Sequence, residues 1–184
     1  MISEKENVKT SKFLSLVLRH QPELIGLELD ENGWVDVDLL LKKLIGHGIQ
    51  LDLEILRYIV DTNSKKRFSF DEKFNKIRAS QGHSVKIDLG YVPQMPPEIL
   101  YHGTSTKNID SILQLGIEKR GRQHVHLSCD IETAVKVAQR HGKAFIFEVL
   151  AGQMYIDNIQ FYLSENGVWL TDNVPIKYLK QYRP

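Results

Sequence analysis

Apolar residues near the start of the chain recur at helical spacing. Five of them fall between positions 13 and 18, and Pro22 ends the segment because proline cannot continue a helix. Thr10 or Ser11 is the expected N-cap, since a hydroxyl there accepts a hydrogen bond from a free backbone N–H. The residues that follow predict a short extended element at 34–35, helices over 38–45 and 51–60, and a hairpin of 67–70 with 74–79. Three helices followed by a hairpin are typical of a winged helix-turn-helix.

The second half of the chain carries short strand-like runs in place of long helical ones. Residues 90–98 read GYVPQMPPE, and their three prolines interrupt any regular element, so we place the domain boundary here. The resulting domains are residues 1–92 and 93–184. Within the second, the pattern predicts strands at 99–102, 124–128, 144–150, 160–163, 168–171 and 175–179, and helices over 108–115 and 130–141. Short strands with two helices indicate an α+β fold on a small twisted sheet.

Charge is almost balanced along the chain. The 184 residues include 24 Lys and Arg against 23 Asp and Glu. Residues 1–92 carry 14 of each sign, and residues 93–184 carry 10 basic and 9 acidic residues. A strongly basic face is therefore excluded, and any contact with nucleic acid has to come from local clusters.

The composition also favours a reducing compartment. Cys129 is the only cysteine, which excludes an intramolecular disulfide and a multi-cysteine zinc site. The first twelve residues are charged and lack the apolar core of a signal peptide. No apolar run approaches the ~20 residues that a membrane span needs. We therefore expect a soluble, cytoplasmic protein with no membrane partner.

Positive charge is gathered in three short segments. Residues 18–20 read LRH, residues 65–68 read KKRF, and residues 119–122 read KRGR. Taken singly, each has an ordinary explanation, such as a cation at a helix C-terminus or a solvated loop charge. Together with the polar run YHGTS at 101–105, they favour one active site that holds a phosphate and a nucleotide.

Two histidines share one side of the predicted strand at 124–128. Alternation places Val125 and Leu127 on one face and leaves His124 and His126 on the other. No nearby carboxylate or cysteine completes a ligand set, so no metal is predicted. A hydrogen-bonded histidine near the core is the preferred explanation for this pair.

A glycine between polar residues lies at the end of the first strand of this domain. In the run His102, Gly103 and Thr104, the glycine allows close backbone approach to a ligand and the hydroxyl offers a donor. The alternative is a strand-to-helix turn with Ser105 or Thr106 as its cap.

Six segments of the chain, in their order and spacing, resemble those of the RNA 2′-phosphotransferase family. They are SKFLSLVLRH at 11–20, KKRF at 65–68, IRASQGHS at 77–84, YHGT at 101–104, HVHLS at 124–128 and ENGVWL at 165–170. The resemblance implies an N-terminal winged-helix lobe and a C-terminal ADP-ribosyltransferase-like lobe. It also implies that NAD is consumed as a co-substrate and that the partner is an RNA with an internal 2′-phosphate, as in spliced tRNA. We expect a monomer.

The resemblance assigns roles to individual residues. It places the catalytic group at Arg19, His20, Arg67 and Arg122. It places the nucleotide-binding group at His102, Gly103, Thr104, Ser105, His126, Leu127, Ser128 and Val168. Many protein-modifying ADP-ribosyltransferases have a glutamate at the position of Val168. A carboxylate there would repel an incoming phosphate, so valine favours an anionic acceptor.

The implied reaction has two steps. The RNA 2′-phosphate attacks C1″ of the nicotinamide ribose and nicotinamide leaves. The ribose O2″ then attacks the bridging phosphorus, which releases 2′-OH RNA and ADP-ribose 1″,2″-cyclic phosphate. An enzyme that stops after the first step, capping terminal phosphates of RNA or DNA, would need the same residues. A non-catalytic winged-helix regulator would instead bind duplex nucleic acid with sequence specificity.

Overall fold

The chain forms two compact units, Met1–Gly90 and Tyr91–Pro184. A computed structural model describes residues 2–182. Both units combine helices with small antiparallel sheets, so the predicted α+β class is confirmed. Within residues 2–182, no helix is both long enough and apolar enough to cross a membrane.

The first unit consists of three α-helices and a three-stranded sheet. Its elements are α1 (Glu4–Val17), a 3₁₀ helix (Pro22–Ile25), β1 (Val35–Asp36), α2 (Val37–Gly46), α3 (Leu53–Asp61), β2 (Phe68–Phe70) and β3 (Lys76–Ala79). The sheet order is β1-β3-β2, with Phe68 opposite Ala79 and Val35 opposite Ile77. The predicted hairpin is therefore confirmed, and β1 extends it by a third strand.

The start of α1 corrects the sequence prediction. The N-cap is Ser3, whose hydroxyl accepts from the Glu6 backbone N–H at 3.3 Å while the Glu6 carboxylate accepts from the Ser3 N–H at 3.0 Å. This reciprocal pair is a capping box. The predicted caps Thr10 and Ser11 lie inside the helix. The prediction was wrong because residues 4–10 carry little apolar periodicity, although their capping signal is plain.

Carboxylate caps begin the next two helices of the first unit. Asp36 accepts from the Leu39 N–H at 2.9 Å, and Asp52 accepts from the Ile55 N–H at 2.8 Å. The inward faces of α1, α2 and α3 and the inner face of the sheet form one core. Its fully buried members include Leu14, Val17, Leu18, Leu40, Leu44, Leu56, Ile59 and Ile77.

The second unit holds three α-helices and eight short strands among the residues described. They are β4 (Leu100–Ser105), α4 (Ile109–Leu115), β5 (Ile117–Glu118), β6 (Val125–Leu127), α5 (Ile131–Ala138), β7 (Ala144–Val149), α6 (Ala151–Ile156), β8 (Tyr162–Leu163), β9 (Trp169–Thr171), β10 (Asn173–Val174) and β11 (Leu179–Gln181). The strands form sheets of order β11-β7-β4, β6-β9-β8 and β10-β5. Reciprocal backbone bonds between Tyr101 and Ser128, of 2.8 and 2.9 Å, link the first sheet to the end of β6.

Four elements of this unit differ from the prediction. Helix α6 and the strands β5 and β10 were not predicted. The segment 175–179, predicted as a strand, is mostly the 3₁₀ helix Ile176–Tyr178. Strand pairing begins directly after this helix, in β11, where Leu179 lies opposite Val149. Tyr178 is buried and its hydroxyl donates to Asp157, which accounts for the helical turn before the strand.

Candidate functional site

The first unit brings Arg19, His20 and Arg67 together, and we call these three residues the cationic cluster. Arg19 and His20 directly follow the C-cap of α1, and Arg67 directly precedes β2. The Arg19 guanidinium donates through Nη2 to the Arg67 backbone carbonyl at 3.3 Å. Arg19 and Arg67 are half-buried and His20 is exposed. Residues 48 positions apart in sequence thus share one site in this unit.

Asn63 holds the loop that carries Arg67. Its side-chain oxygen accepts from the Arg67 backbone N–H and from Arg67 Nη1, both at 3.4 Å, and from the Lys65 N–H at 3.2 Å. Its side-chain nitrogen donates to Ser11 Oγ on α1 at 2.9 Å. Asn63 therefore orients the guanidinium and fixes its loop against the helix. Sequence reasoning missed this residue, since an asparagine after a helix usually marks only a turn.

The segment 80–84, which follows β3, joins the cationic cluster from the other side. The Ser80 N–H donates to the Arg67 carbonyl at 2.8 Å, and the Ser84 N–H donates to the Arg19 carbonyl at 2.9 Å. Ser84 Oγ lies 3.0 Å from His20 Nδ1. The segment therefore contacts every member of the cluster. The sequence alone indicates no packing reason for Gln81, His83 or Ser84, and these contacts supply one for Ser84.

His83 is neutral in the folded protein. Its side chain is 1% exposed. Loss of solvation lowers its pKa to about 3, and the positive charges of Arg19, His20 and Arg78 lower the pKa further in the same direction. At a pH between about 3 and its ordinary pKa, His83 therefore stays neutral and adds no positive charge beside the cationic cluster.

Arg78 on β3 shows how a buried arginine differs from the cluster arginines. Its guanidinium carbon lies 4.4 Å from the centre of the Trp34 ring, and Nη1 donates to the Leu89 carbonyl at 3.2 Å. Stacking on an indole and bonding to a backbone oxygen are structural contacts. Arg78 thus anchors the segment after β3 and is not a candidate for phosphate binding.

The second unit brings Arg122, His126 and His102 together. Arg122 Nη1 lies 2.8 Å from His126 Nδ1. A guanidinium can only donate, so Nδ1 of His126 accepts and a neutral His126 carries its hydrogen on Nε2. His102 Nδ1 lies 3.3 Å from the His126 carbonyl, which can only accept, so His102 donates through Nδ1. This chain of contacts fixes both rings.

The surroundings of His102 lower its pKa and so favour the neutral form. Burial lowers its pKa, the bond to the His126 carbonyl acts in the opposite direction, and the Arg122 charge lowers it further. A neutral His102 with hydrogen on Nδ1 has an acceptor lone pair on Nε2. Such a nitrogen suits a hydroxyl donor, for example that of a ribose.

Gly103 serves the packing of α5. An added Cβ would lie 1.9 Å from the Ala134 carbonyl oxygen, so only glycine lets the α5 backbone approach β4 this closely. Close approach was expected here, but the partner that the structure shows is a helix of the same unit. Thr104 and Ser105 are buried; Thr104 Oγ1 accepts from Asn108 at 3.1 Å, and Ser105 Oγ accepts from the Lys107 N–H at 3.2 Å. Ser105 is thus the cap of the 3₁₀ helix Thr106–Asn108.

The remaining predicted residues lie around β6 and β9. Leu127 is buried in the core and pairs with Trp169, and Ser128 carries the backbone bridge to Tyr101. Val168 is half-buried and directly precedes β9. Its N–H donates to Ser164 Oγ at 2.9 Å, which closes the turn before the strand. Among residues 2–182, no three His, Cys, Asp or Glu side chains are grouped to hold a metal ion.

Comparison with known proteins places these residues in a family context. Residues 5–173 match the sequence model of the RNA 2′-phosphotransferase, Tpt1 / KptA family. The chain is similar to a probable RNA 2′-phosphotransferase of Flavobacterium johnsoniae, with 57% identity over 170 residues, 92% of this chain and 93% of the relative. It is also similar to a probable RNA 2′-phosphotransferase of Fusobacterium nucleatum, with 53% identity over 95% of this chain and 98% of the relative. A third relative, a probable RNA 2′-phosphotransferase of Agrobacterium fabrum, is 55% identical over 92% of this chain and 91% of the relative. The match covers both units.

Proposed function

Because the chain belongs to the RNA 2′-phosphotransferase family, we propose that it transfers an internal RNA 2′-phosphate to NAD. The products are nicotinamide, 2′-OH RNA and ADP-ribose 1″,2″-cyclic phosphate, as expected for the removal of a splice-junction phosphate from tRNA. The observation that carries the proposal is the grouping of Arg19, His20 and Arg67, which come from two distant parts of the first unit. Two guanidiniums beside an exposed imidazole suit a phosphate dianion.

The folds of the two units support separate binding roles for them. Three helices followed by a β2–β3 hairpin, with β1 as a third strand, are consistent with a winged-helix lobe for the first unit. The histidine pair on β4 and β6 is consistent with an ADP-ribosyltransferase-like lobe for the second. The first lobe would bind the RNA phosphate, and the second would bind NAD.

The residues of the second unit fit a dinucleotide. The acceptor nitrogen of His102 suits a ribose hydroxyl, and the Nε2–H of His126 suits an anionic oxygen. Val168 adds no negative charge next to an incoming phosphate. NAD supplies a glycosidic bond whose leaving group is neutral nicotinamide.

In the first step, a 2′-phosphate oxygen forms a bond to C1″, and the electron pair of the C1″–N bond departs with nicotinamide. The arginines hold the phosphate bidentately and orient the attacking oxygen. A point charge would not fix that orientation, so lysine is a poor substitute for Arg19 or Arg67.

In the second step, O2″ attacks the bridging phosphorus and the bond to the RNA 2′-oxygen breaks. A proton leaves O2″ and another reaches the departing 2′-oxygen. His20 is the proposed proton carrier, because imidazole titrates near neutral pH. Arg122 stabilises the charge that develops on the phosphoryl oxygens.

A product analysis tests this function. The protein is mixed with NAD and a short oligonucleotide that carries one internal 2′-phosphate, and the products are identified by mass. We expect the dephosphorylated oligonucleotide and ADP-ribose cyclic phosphate in equal amounts. A matched oligonucleotide with a terminal phosphate is the control. A stable adduct on that control with no cyclic phosphate from the first substrate would identify a capping ADP-ribosyltransferase, and no consumption of NAD would refute both activities.

A further inference from the structure

Ser84 stands out because its side chain and its backbone have separate contacts. Its backbone N–H holds the Arg19 carbonyl, whereas its hydroxyl lies 3.0 Å from His20 Nδ1. The residue is exposed, so the hydroxyl is not needed to satisfy a buried group. A side chain that contacts a candidate proton carrier and has no core role is a candidate for positioning that carrier.

Neighbouring contacts keep Ser84 in place. Ser80 Oγ donates to the Lys66 carbonyl at 3.0 Å, and the adjacent His83 ring is buried against Gly33. The 80–84 segment is therefore anchored at both ends. Its hydroxyl at position 84 is presented to His20 by a fixed backbone, which is what a positioning contact requires.

A histidine that gives and takes protons at one nitrogen needs its other nitrogen fixed. If Nδ1–H donates to the Ser84 hydroxyl, the ring can lose or gain a proton at Nε2 without changing that bond. A hydroxyl is neutral, so it orients the ring without adding a negative charge beside a phosphate site. A carboxylate in this place would oppose the arginines.

We propose that Ser84 is a positioning residue for His20, accepting a hydrogen bond from Nδ1–H and so making Nε2 the nitrogen that exchanges protons with the substrate. This assignment rests on the proposed function for its catalytic part. Its structural part, the tautomer of His20, can be measured without any substrate.

The test uses the 184-residue chain with Ser84→Ala and with Ser84→Thr. Alanine removes the hydroxyl and keeps the backbone bond to Arg19, whereas threonine keeps both. Thermal unfolding of each variant shows that the fold is intact. Ring-nitrogen NMR of ¹⁵N-histidine protein, with the His20 signals assigned by their loss in His20→Ala, gives the tautomer of the neutral ring.

We expect neutral His20 to carry its hydrogen on Nδ1 in the wild type and in Ser84→Thr, and to shift towards the Nε2–H form in Ser84→Ala. In single turnover, we expect Ser84→Ala to slow decay of the ADP-ribosylated RNA roughly 5- to 10-fold, the size of one lost hydrogen bond. Ser84→Thr should restore the rate. The first step should be unaffected.

Two results would overturn the assignment. One is a His20 tautomer that is the same with and without the hydroxyl. The other is a shifted tautomer with an unchanged second step while His20→Ala still abolishes that step. If the wild type forms no cyclic phosphate, or His20→Ala leaves the second step intact, the proposed function or the role of His20 fails, and the tautomer measurement still decides whether Ser84 orients the ring.

Discussion

The two units hold their candidate residues in different ways. In the first, the cationic cluster lies at the end of α1 and before β2, and its members are joined by bonds to backbone carbonyls and to the loop side chains Asn63 and Ser84. In the second, His102 lies within a strand, and its position follows from the pairing of β4 with β7. Residues on element ends depend on individual polar contacts, whereas residues within strands depend on packing of the whole sheet. The two units should therefore respond to different substitutions.

The largest expected effect concerns Arg122, which lies in the loop between β5 and β6 of the second unit. Arg122→Ala removes the donor to His126 Nδ1 and a charge proposed to stabilise the second step. We expect the rate of that step to fall roughly 10²- to 10³-fold, as for loss of one preorganised donor, with accumulation of ADP-ribosylated RNA in single-turnover gels.

The neighbouring Arg120 is a matched control for this substitution. Its side chain is exposed, and its Nη2 lies 3.5 Å from Ser111 Oγ on α4. Arg120→Ala should change the same rate less than about twofold, in line with the small value of exposed polar contacts. Equal losses in both variants would mean that general positive charge matters, and not the bond to His126.

The next effect tests whether packing positions His102. Gly103→Ala places a Cβ 1.9 Å from the Ala134 carbonyl oxygen, so β4 and α5 must separate. We expect a loss of about 1–3 kcal/mol in the free energy of unfolding, measured by urea denaturation. Gly121→Ala is the control because nothing lies within 4 Å of its added Cβ. A Gly103→Ala protein as stable as the wild type would show that the strand tolerates a shift.

The smallest effect, when measured over a single pH unit, is a pH dependence in the first unit. The unfolded chain protonates His83 below its ordinary pKa, whereas the folded protein does not until about pH 3. The unfolded state therefore binds the extra proton, and stability falls as the pH decreases from about 6.5 towards 3, by roughly 1 to 1.5 kcal/mol per pH unit within that window.

The comparison of wild type with His83→Asn isolates this contribution. Urea denaturation between pH 6 and 5 should give a shallower pH slope in the variant, and the two slopes should agree above pH 8. The lowered pKa of His102 acts with the same sign in both proteins and cancels. Equal slopes between pH 6 and 5 would show that folding does not lower the pKa of His83.

Elements with strong local signals were predictable from the sequence. Strand β2 alternates aromatic and polar residues, and α4 ends before Gly116, whose φ of +79° suits glycine at a helix end. Helix α6 was missed because AGQMYI has a glycine and little periodicity. It forms because Ala151 and Met154 are buried and the Gly152 N–H donates to the Glu98 carbonyl at 3.0 Å. That contact is tertiary and has no local signal.

The candidate site was predictable at its charged members and less so at the residues that orient them. Arginines and histidines in short clusters attract attention by their chemistry. Asn63 and Ser84 do not, because asparagine and serine in loops are common and their partners lie 52 and 64 positions away in sequence. Gly103 shows the same limit, since a missing side chain indicates a close approach but does not reveal that α5 is one of the partners.

Two contacts of His126 depend on different parts of the residue. The bond to His102 ends on a main-chain oxygen, which every amino acid possesses, whereas the bond to Arg122 needs the imidazole itself. A substitution at position 126 would therefore keep the carbonyl that accepts from His102 and remove the nitrogen that accepts from Arg122. A protein without the imidazole would keep the acceptor for His102 but would need another restraint for Arg122.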